Sequence, residues 1–139
     1  MLLKLFDFSN GLGDFTPERK YAHDVGADVR SRGYHVIYPG KTIKIPLGFG
    51  IKVPTGCAGY IFPRGSTALQ GLLVHPNPID PGYTGEVHAV ITNCSETEVR
   101  IDSGERIAQL IVSPCVLGTF TYDNNKKRKS SSFGSTGID

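Results

Sequence analysis

The sequence predicts an all-β domain, a sandwich or a barrel-like pair of sheets, with one short helix and a flexible C-terminal tail. Three observations carry that reading. Short apolar or alternating runs recur along the chain, and turn signals fall between them about every ten residues. Glycine, at 17 residues, and proline, at 9, are used as in chains of many short strands joined by turns. Beyond Asp123 the composition changes abruptly to Asn, Lys and Ser, which marks the end of the compact part.

The elements follow in order. Leu2 to Phe8 is a short apolar run. His35-Val36-Ile37-Tyr38, the Pro39-Gly40 turn and Thr42-Ile43-Lys44-Ile45 read as strand, turn, strand. Phe49 to Pro54 and Gly59 to Phe62 alternate. Only Ser66-Thr67-Ala68-Leu69-Gln70 looks helical, with a capping residue in front and Gly71 behind. Glu86 to Thr92, Val99 to Ile101, Arg106 to Val112 and Val116 to Tyr122 complete the predicted strands. The organisation is one β domain over residues 1–123 and a mobile segment over 124–139.

A length of 139 residues fits one domain with a real core. Hydrophobic content of 39% and charged content of 20% are ordinary for a soluble globular protein. The net charge of +2 is weak, and the basic cluster Lys126-Lys127-Arg128-Lys129 reads as a solvated tail sooner than a nucleic-acid patch. Cys57, Cys94 and Cys115 are odd in number and have no metal-knuckle spacing, so neither a disulfide framework nor a zinc site is suggested. A reducing, cytoplasmic setting fits, or a host cell's if the source is viral. The opening apolar run is too short and broken for a signal peptide, and no stretch approaches the ~18 apolar residues of a membrane span.

Four short constellations hold polar groups that structure alone does not need. Arg64-Gly65-Ser66 sits where a strand gives way to the helix, and suits an anion as well as it suits an exposed turn. Ile79-Asp80-Pro81-Gly82-Tyr83-Thr84-Gly85-Glu86 is a tight turn explained by Pro-Gly, but it sets a carboxylate three residues from an aromatic ring. That pair suits a sugar or base and an activated water. Within Gly104 to Ile111, Gln109 lies in an apolar strand and needs a partner for its amide. Gly134-Ser135-Thr136-Gly137 would make a phosphate cradle.

Taken together these pieces occur in the order and rough spacing of signature motifs of trimeric dUTPase (deoxyuridine triphosphate nucleotidohydrolase), with Gly26-Ala27-Asp28-Val29 as the first motif in outline. The sequence resembles that family from about residue 20 to its end. The resemblance implies a distorted jelly-roll or β-clip domain and a homotrimer with shared active sites. It also implies Mg²⁺-dependent hydrolysis of dUTP to dUMP and pyrophosphate, which lowers dUTP and supplies dUMP for thymidylate synthesis. By the same resemblance Asp80 orients the attacking water and contacts the 3′-hydroxyl, and Tyr83 packs on the deoxyribose. The backbone around Asn77 to Ile79 pairs with uracil. Arg64, Gly65, Ser66 and Gln109 hold the α- and β-phosphates, and Asp28 reaches Mg²⁺ through water. Arg128 contacts the γ-phosphate, Phe133 covers the uracil, and Gly134, Ser135, Thr136 and Gly137 wrap the phosphate end, so 124–139 acts as an active-site lid. No membrane or nucleic-acid partner is expected.

The sequence departs from the family pattern in places. Gly65 stands where Ser is usual, the stretch from Arg64 to Asp80 is shorter, Asn77-Pro78 replaces a Gly-containing tip, and Lys129, Ser131 and Ser132 replace glycines. Two other readings compete. A dCTP deaminase shares the fold, and Arg64 to Ala68, Val74-His75 and Ile79 to Gly82 resemble it. However, Val87 to Ile91 lacks its catalytic Glu, and Leu69 stands where it has Arg. A nucleotide-gated regulatory protein would bind without turnover, whereas intact Asp80 and Gln109 predict turnover.

Overall fold

A computed structural model describes residues 1–124. Its architecture follows from side chains that alternate between core and surface. In chain order the elements are β1 (Leu5–Asp7), β2 (Ala27–Arg30), β3 (His35–Ile37), β4 (Thr42–Pro46), β5 (Phe49–Ile51), β6 (Cys57–Phe62), α1 (Gly65–Leu69), β7 (Leu72–His75), β8 (Asn77–Ile79), β9 (His88–Asn93), β10 (Val99–Ile101) and β11 (Arg106–Pro114). All pairings between these strands are antiparallel. The sheets run β2-β11-β6-β8 and β4-β9-β7, with two-stranded ribbons β1-β5 and β10-β3. Their inner faces share one core, to which β9 gives Ala89 and Ile91, β6 gives Ile61, and β11 gives Ile107, Ala108 and Leu110.

Where a strand alternates cleanly, its outward residues are placed by the core. In β2, Ala27 and Val29 are buried, so Asp28 and Arg30 face out. In β9 the same rule sends His88, Val90 and Thr92 outward. Asn93, at the inward end of β9, is fully buried and saturated. Its Nδ2 donates to the carbonyls of Ile37 and Thr97, at 2.8 and 2.9 Å, and its Oδ1 accepts from Ser95.

Several local expectations are corrected. The helix begins one residue early, at Gly65, with Arg64 in the N-cap position and no side-chain cap bond. Gly71 does close it, with φ of +80°, the left-handed region that favours glycine. The apolar run Val116 to Tyr122 forms no strand. Val116, Phe120 and Tyr122 are each more than 90% exposed, because a strand needs a pairing edge and none among the described residues takes this one. Three strands escaped the sequence reading: β2 carries Asp28 and Arg30, and β7 and β8 are cut by Pro76 and interrupted by Pro78. Pro78 is tolerated because β8 is an edge strand, paired only with β6.

Arg32, just after β2, grips the residue that begins the approach to β9. Its Nε and Nη2 donate to the Glu86 carboxylate at 2.7 and 2.8 Å, and the Gly48 N–H adds a third bond at 2.9 Å. Burial pushes the Glu86 carboxyl up, but the Arg32 fork and the Gly48 N–H outweigh it and hold it below its ordinary value. A carboxyl depressed in the fold stabilises fully above its unfolded pKa and loses that stabilisation as pH falls through the folded one. Glu86→Gln is therefore expected to lose about 3 kcal/mol at pH 7, since it leaves Arg32 without its ion-pair partner. The gap between native and variant should narrow below pH ~4.3, read by urea denaturation at pH 7 and pH 3.5.

Candidate active site

Two groups of functional side chains sit at opposite ends of β6. The first gathers where β6 runs into α1. Arg64 follows Phe62 and Pro63 off the strand, and its Nε donates to Asp28 Oδ1 at 3.0 Å. Its Nη1 reaches Ser66 Oγ at 3.2 Å and the Arg106 carbonyl at 3.3 Å. Nη2 has no partner among the described residues, so one face of the guanidinium fork stays open to an anion. Gln109 stands beside Asp28 in the β11–β2 register and opposite Phe62 in the β11–β6 register. Its Nε2 donates to the Pro63 carbonyl at 2.8 Å, the partner an amide in an apolar strand requires. Gly26 is needed here, because a Cβ would overlap the Gln109 amide.

A cavity of about 320 Å³ opens beside this group, lined among others by Arg30, Arg64, Ser66 and Arg106. Three guanidinium groups against the one carboxylate of Glu105 give it a net cationic character that fits phosphate. A Cβ on Gly65 would meet nothing within 4 Å, so packing does not require glycine there. The helix is only five residues long, which leaves anion binding chiefly to Arg64 and the Ser66 hydroxyl.

The second group lies on the turn after β8. Tyr83 N–H donates to the Asp80 carbonyl at 3.2 Å, and Gly82 has φ of +91°. Pro81 and Gly82 at its two central positions make this a type II turn, which brings the first and fourth residues together. Asp80 makes no side-chain hydrogen bond among the described residues. The Tyr83 hydroxyl donates to the Glu86 carbonyl at 2.8 Å, and its ring occupies the space a Cβ on Gly85 would need. A cavity of about 210 Å³ adjoins the hairpin, lined by Asn77, Ile79, Asp80 and Tyr83, with Lys44 and His88 from β4 and β9. The sequence reading missed Lys44 and His88. The signal for both was their outward place in alternating strands. Asn77 Oδ1 is buried without a partner.

Asp28, Arg64, Ser66 and Gln109 thus come together, and so do Asn77, Ile79, Asp80 and Tyr83. The cavities beside the two groups share no lining residue. Ile79 faces Gly59 across the β6–β8 ladder, and Arg64 lies five residues further along the chain. Arg128, Phe133, Gly134, Ser135, Thr136 and Gly137 lie outside the described residues. A larger cavity of about 420 Å³ is lined by Leu12 to Glu18 with Arg30 and Gly104. Its carboxylates are already engaged, Asp14 by Thr16 and Glu18 by Arg106. No helix among the described residues is long and apolar enough to cross a membrane.

The family model described as dUTPase matches residues 15–138. The deoxyuridine 5'-triphosphate nucleotidohydrolase of Tropheryma whipplei (strain Twist) is 35% identical over 132 residues, covering 90% of each chain. That of Corynebacterium diphtheriae is 38% identical over 129 residues, covering 88% of this chain and 85% of its own. Among solved structures, the dUTPase of Staphylococcus bacteriophage 80alpha has a TM-score of 0.83 at 22% identity, covering 91% of this chain and 99% of its own. A mutant dUTPase from phage phi11 of S. aureus, which coordinates a structural Mg(II) ion, has a TM-score of 0.81 at 20% identity, covering 89% and 97%. These likenesses bear out the β jelly-roll with one short helix. Relatedness over most of the sequence agrees with the motif order, and the chain belongs to the dUTPase family.

Proposed function

We propose that this chain is a dUTP diphosphatase, hydrolysing dUTP to dUMP and pyrophosphate. The observation that carries the reading is the pairing of two complementary half-sites, a cationic and amide cluster at one end of β6 and a carboxylate–aromatic hairpin with a cavity at the other. Arg64, with its open Nη2, together with Ser66, the Gly65 backbone and the Gln109 amide, receives the α- and β-phosphates. Asp80, free of side-chain partners, orients a water and takes its proton. The water oxygen bonds to the α-phosphorus as the bond to the bridging oxygen breaks, and pyrophosphate leaves. Tyr83 packs on the deoxyribose, and the unpaired edge of β8 around Asn77 to Ile79 meets the base. Arg128 and Gly134 to Gly137 complete the phosphate end and Phe133 covers the base, together a lid, with 1–123 as the domain that carries it.

The donor set at Asp28 fits a magnesium ion. Asp28 Oδ2 has no partner among the described residues, and one carboxylate is what Mg²⁺ takes when substrate phosphates and waters supply the rest. A bound Mg²⁺ would neutralise charge on the triphosphate.

The reading includes a homotrimer with shared sites. Two observations support it. The cavities beside the two groups have no lining residue in common, and the apolar run Val116 to Tyr122 is exposed with no pairing edge among the described residues.

Pyrophosphate release should be rapid from dUTP and slow from dCTP, dTTP and UTP. Ammonia from dCTP, or no turnover of any, would sink the proposal. Asp80→Asn should keep nucleotide binding and lose at least about 100-fold in kcat. Mixing inactive Asp80→Asn and Arg64→Ala chains after unfolding and refolding should restore about a quarter of native activity, since one site in four then combines two intact halves. Activity that stays at zero in the mixture argues for single-chain sites. Gly26→Ala should raise KM by displacing Gln109, with Tm nearly unchanged.

A further inference from the structure

Arg32 belongs to neither group of site residues, yet it makes the strongest polar contact near the hairpin. Its Nε and Nη2 donate to the two carboxylate oxygens of Glu86, a residue 54 positions further on. The two side chains are 22 and 12% exposed, so water competes little for this fork. Both partners are tied at the backbone as well. The Arg32 N–H donates to the Pro46 carbonyl at the end of β4, at 2.8 Å. Val87, the residue after Glu86, donates to the Phe49 carbonyl in β5, also at 2.8 Å.

The anchored Glu86 in turn holds an aromatic ring. The Tyr83 hydroxyl donates to the Glu86 carbonyl at 2.8 Å. A Cβ on Gly85 would lie 2.5 Å from that hydroxyl oxygen and 2.7 Å from Cζ, so the far end of the ring rests directly on the Gly85 backbone. Tyr83 is nevertheless 45% exposed. Packing on one side leaves the ring room to turn on the other, and the bond to Glu86 is what restrains its far end. A chain of contacts therefore runs from Arg32 through Glu86 to Tyr83.

We propose that Arg32 is a positioning residue for sugar selection: through Glu86 it holds the Tyr83 ring as a wall against the 2′ position of the nucleotide, and so sets the preference for deoxyribose over ribose. The proposal rests on reading Tyr83 as the residue that packs on the sugar. A wall rejects a 2′-hydroxyl only as far as it resists displacement. An apolar surface by itself turns away an added hydroxyl by about 100-fold, and a ring free to swing aside gives up part of that. Arg32 itself touches neither the nucleotide nor the reacting atoms, so its loss shows in ribose against deoxyribose and leaves the chemical step alone.

The test measures kcat and KM of the full-length protein for dUTP and for UTP. Arg32→Met should lower the ratio of kcat/KM for dUTP over UTP about tenfold, through a lower KM for UTP, with kcat for dUTP little changed. Arg32→Lys keeps the charge but not the fork, and should fall between Arg32→Met and the native chain. Should Arg32→Met fail to fold, Arg32→Met combined with Glu86→Gln removes the pair without leaving a charge unmatched, and the same fall in the ratio is expected. Tyr83→Phe cuts the chain of contacts at its last bond and should lower the ratio as well. Adding the Arg32 change to Tyr83→Phe should then lower it no further, because both act through one hydroxyl. A purely structural role for Arg32 predicts independent losses instead. With dUTP hydrolysed normally, an unchanged ratio in the variants that lack the pair, or losses that multiply in full with that of Tyr83→Phe, overturns this proposal and leaves the diphosphatase standing. No turnover of dUTP by the native chain overturns the two together.

Discussion

The ladder between β6 and β11 is the constraint on which the rest depends. Its register sets Gln109 against Phe62 and runs without a break to Pro114 opposite Cys57. The same β11 pairs on its other side with β2, which places Asp28 beside Gln109. One strand therefore fixes three things at once: the amide, the carboxylate next to it, and the point where the chain leaves β6 as Pro63-Arg64. A slip of one residue would exchange inward and outward sets, sending Gln109 into the core and Leu110 into solvent. The buried Ile61, Ala108 and Leu110 make that slip costly, so hydrophobic burial holds the polar geometry of the site.

The polar cluster so positioned is organised before any ligand arrives. Asp28 and Arg64 are 20 and 27% exposed, and an ion pair of that kind adds little net stability. Its value is directional. Asp28 and the Arg106 carbonyl hold the guanidinium still, and Nη2 is left without a partner among the described residues. Side-chain entropy that a mobile arginine would lose on binding is already lost in the fold.

What the sequence made legible follows the same physics. Alternation was readable wherever apolar residues marked one face, as in β9, where Ala89 and Ile91 point in. It failed in β2, a strand of four with two charged residues, and in β7 and β8, where prolines mimic a turn. It over-read Val116 to Tyr122, because apolar composition signals a wish to be buried but not the surface that will do it. Motif spacing singled out both groups of residues, and Asp80 and Tyr83 do share one type II turn. Spacing along the chain says nothing of which cavity a residue borders, so the separate surroundings of Asp80 and Arg64 needed the structure. His88 and Lys44 were invisible for a related reason. Each belongs to a cavity made by strands far apart in sequence.

Glu86 links the hairpin to this frame through two separate parts of one residue. Its carboxylate takes three bonds, two from Arg32 and one from Gly48, while its carbonyl takes two, from Tyr83 and His88. The ion pair anchors the backbone, and the anchored carbonyl then aims an aromatic ring and an imidazole at the same cavity. The missing Cβ of Gly85 leaves room for the ring. Each half-site is thus rigid by its own local bonds, one through β11 and the other through Glu86. The two groups are thereby held independently, each by bonds the other does not share.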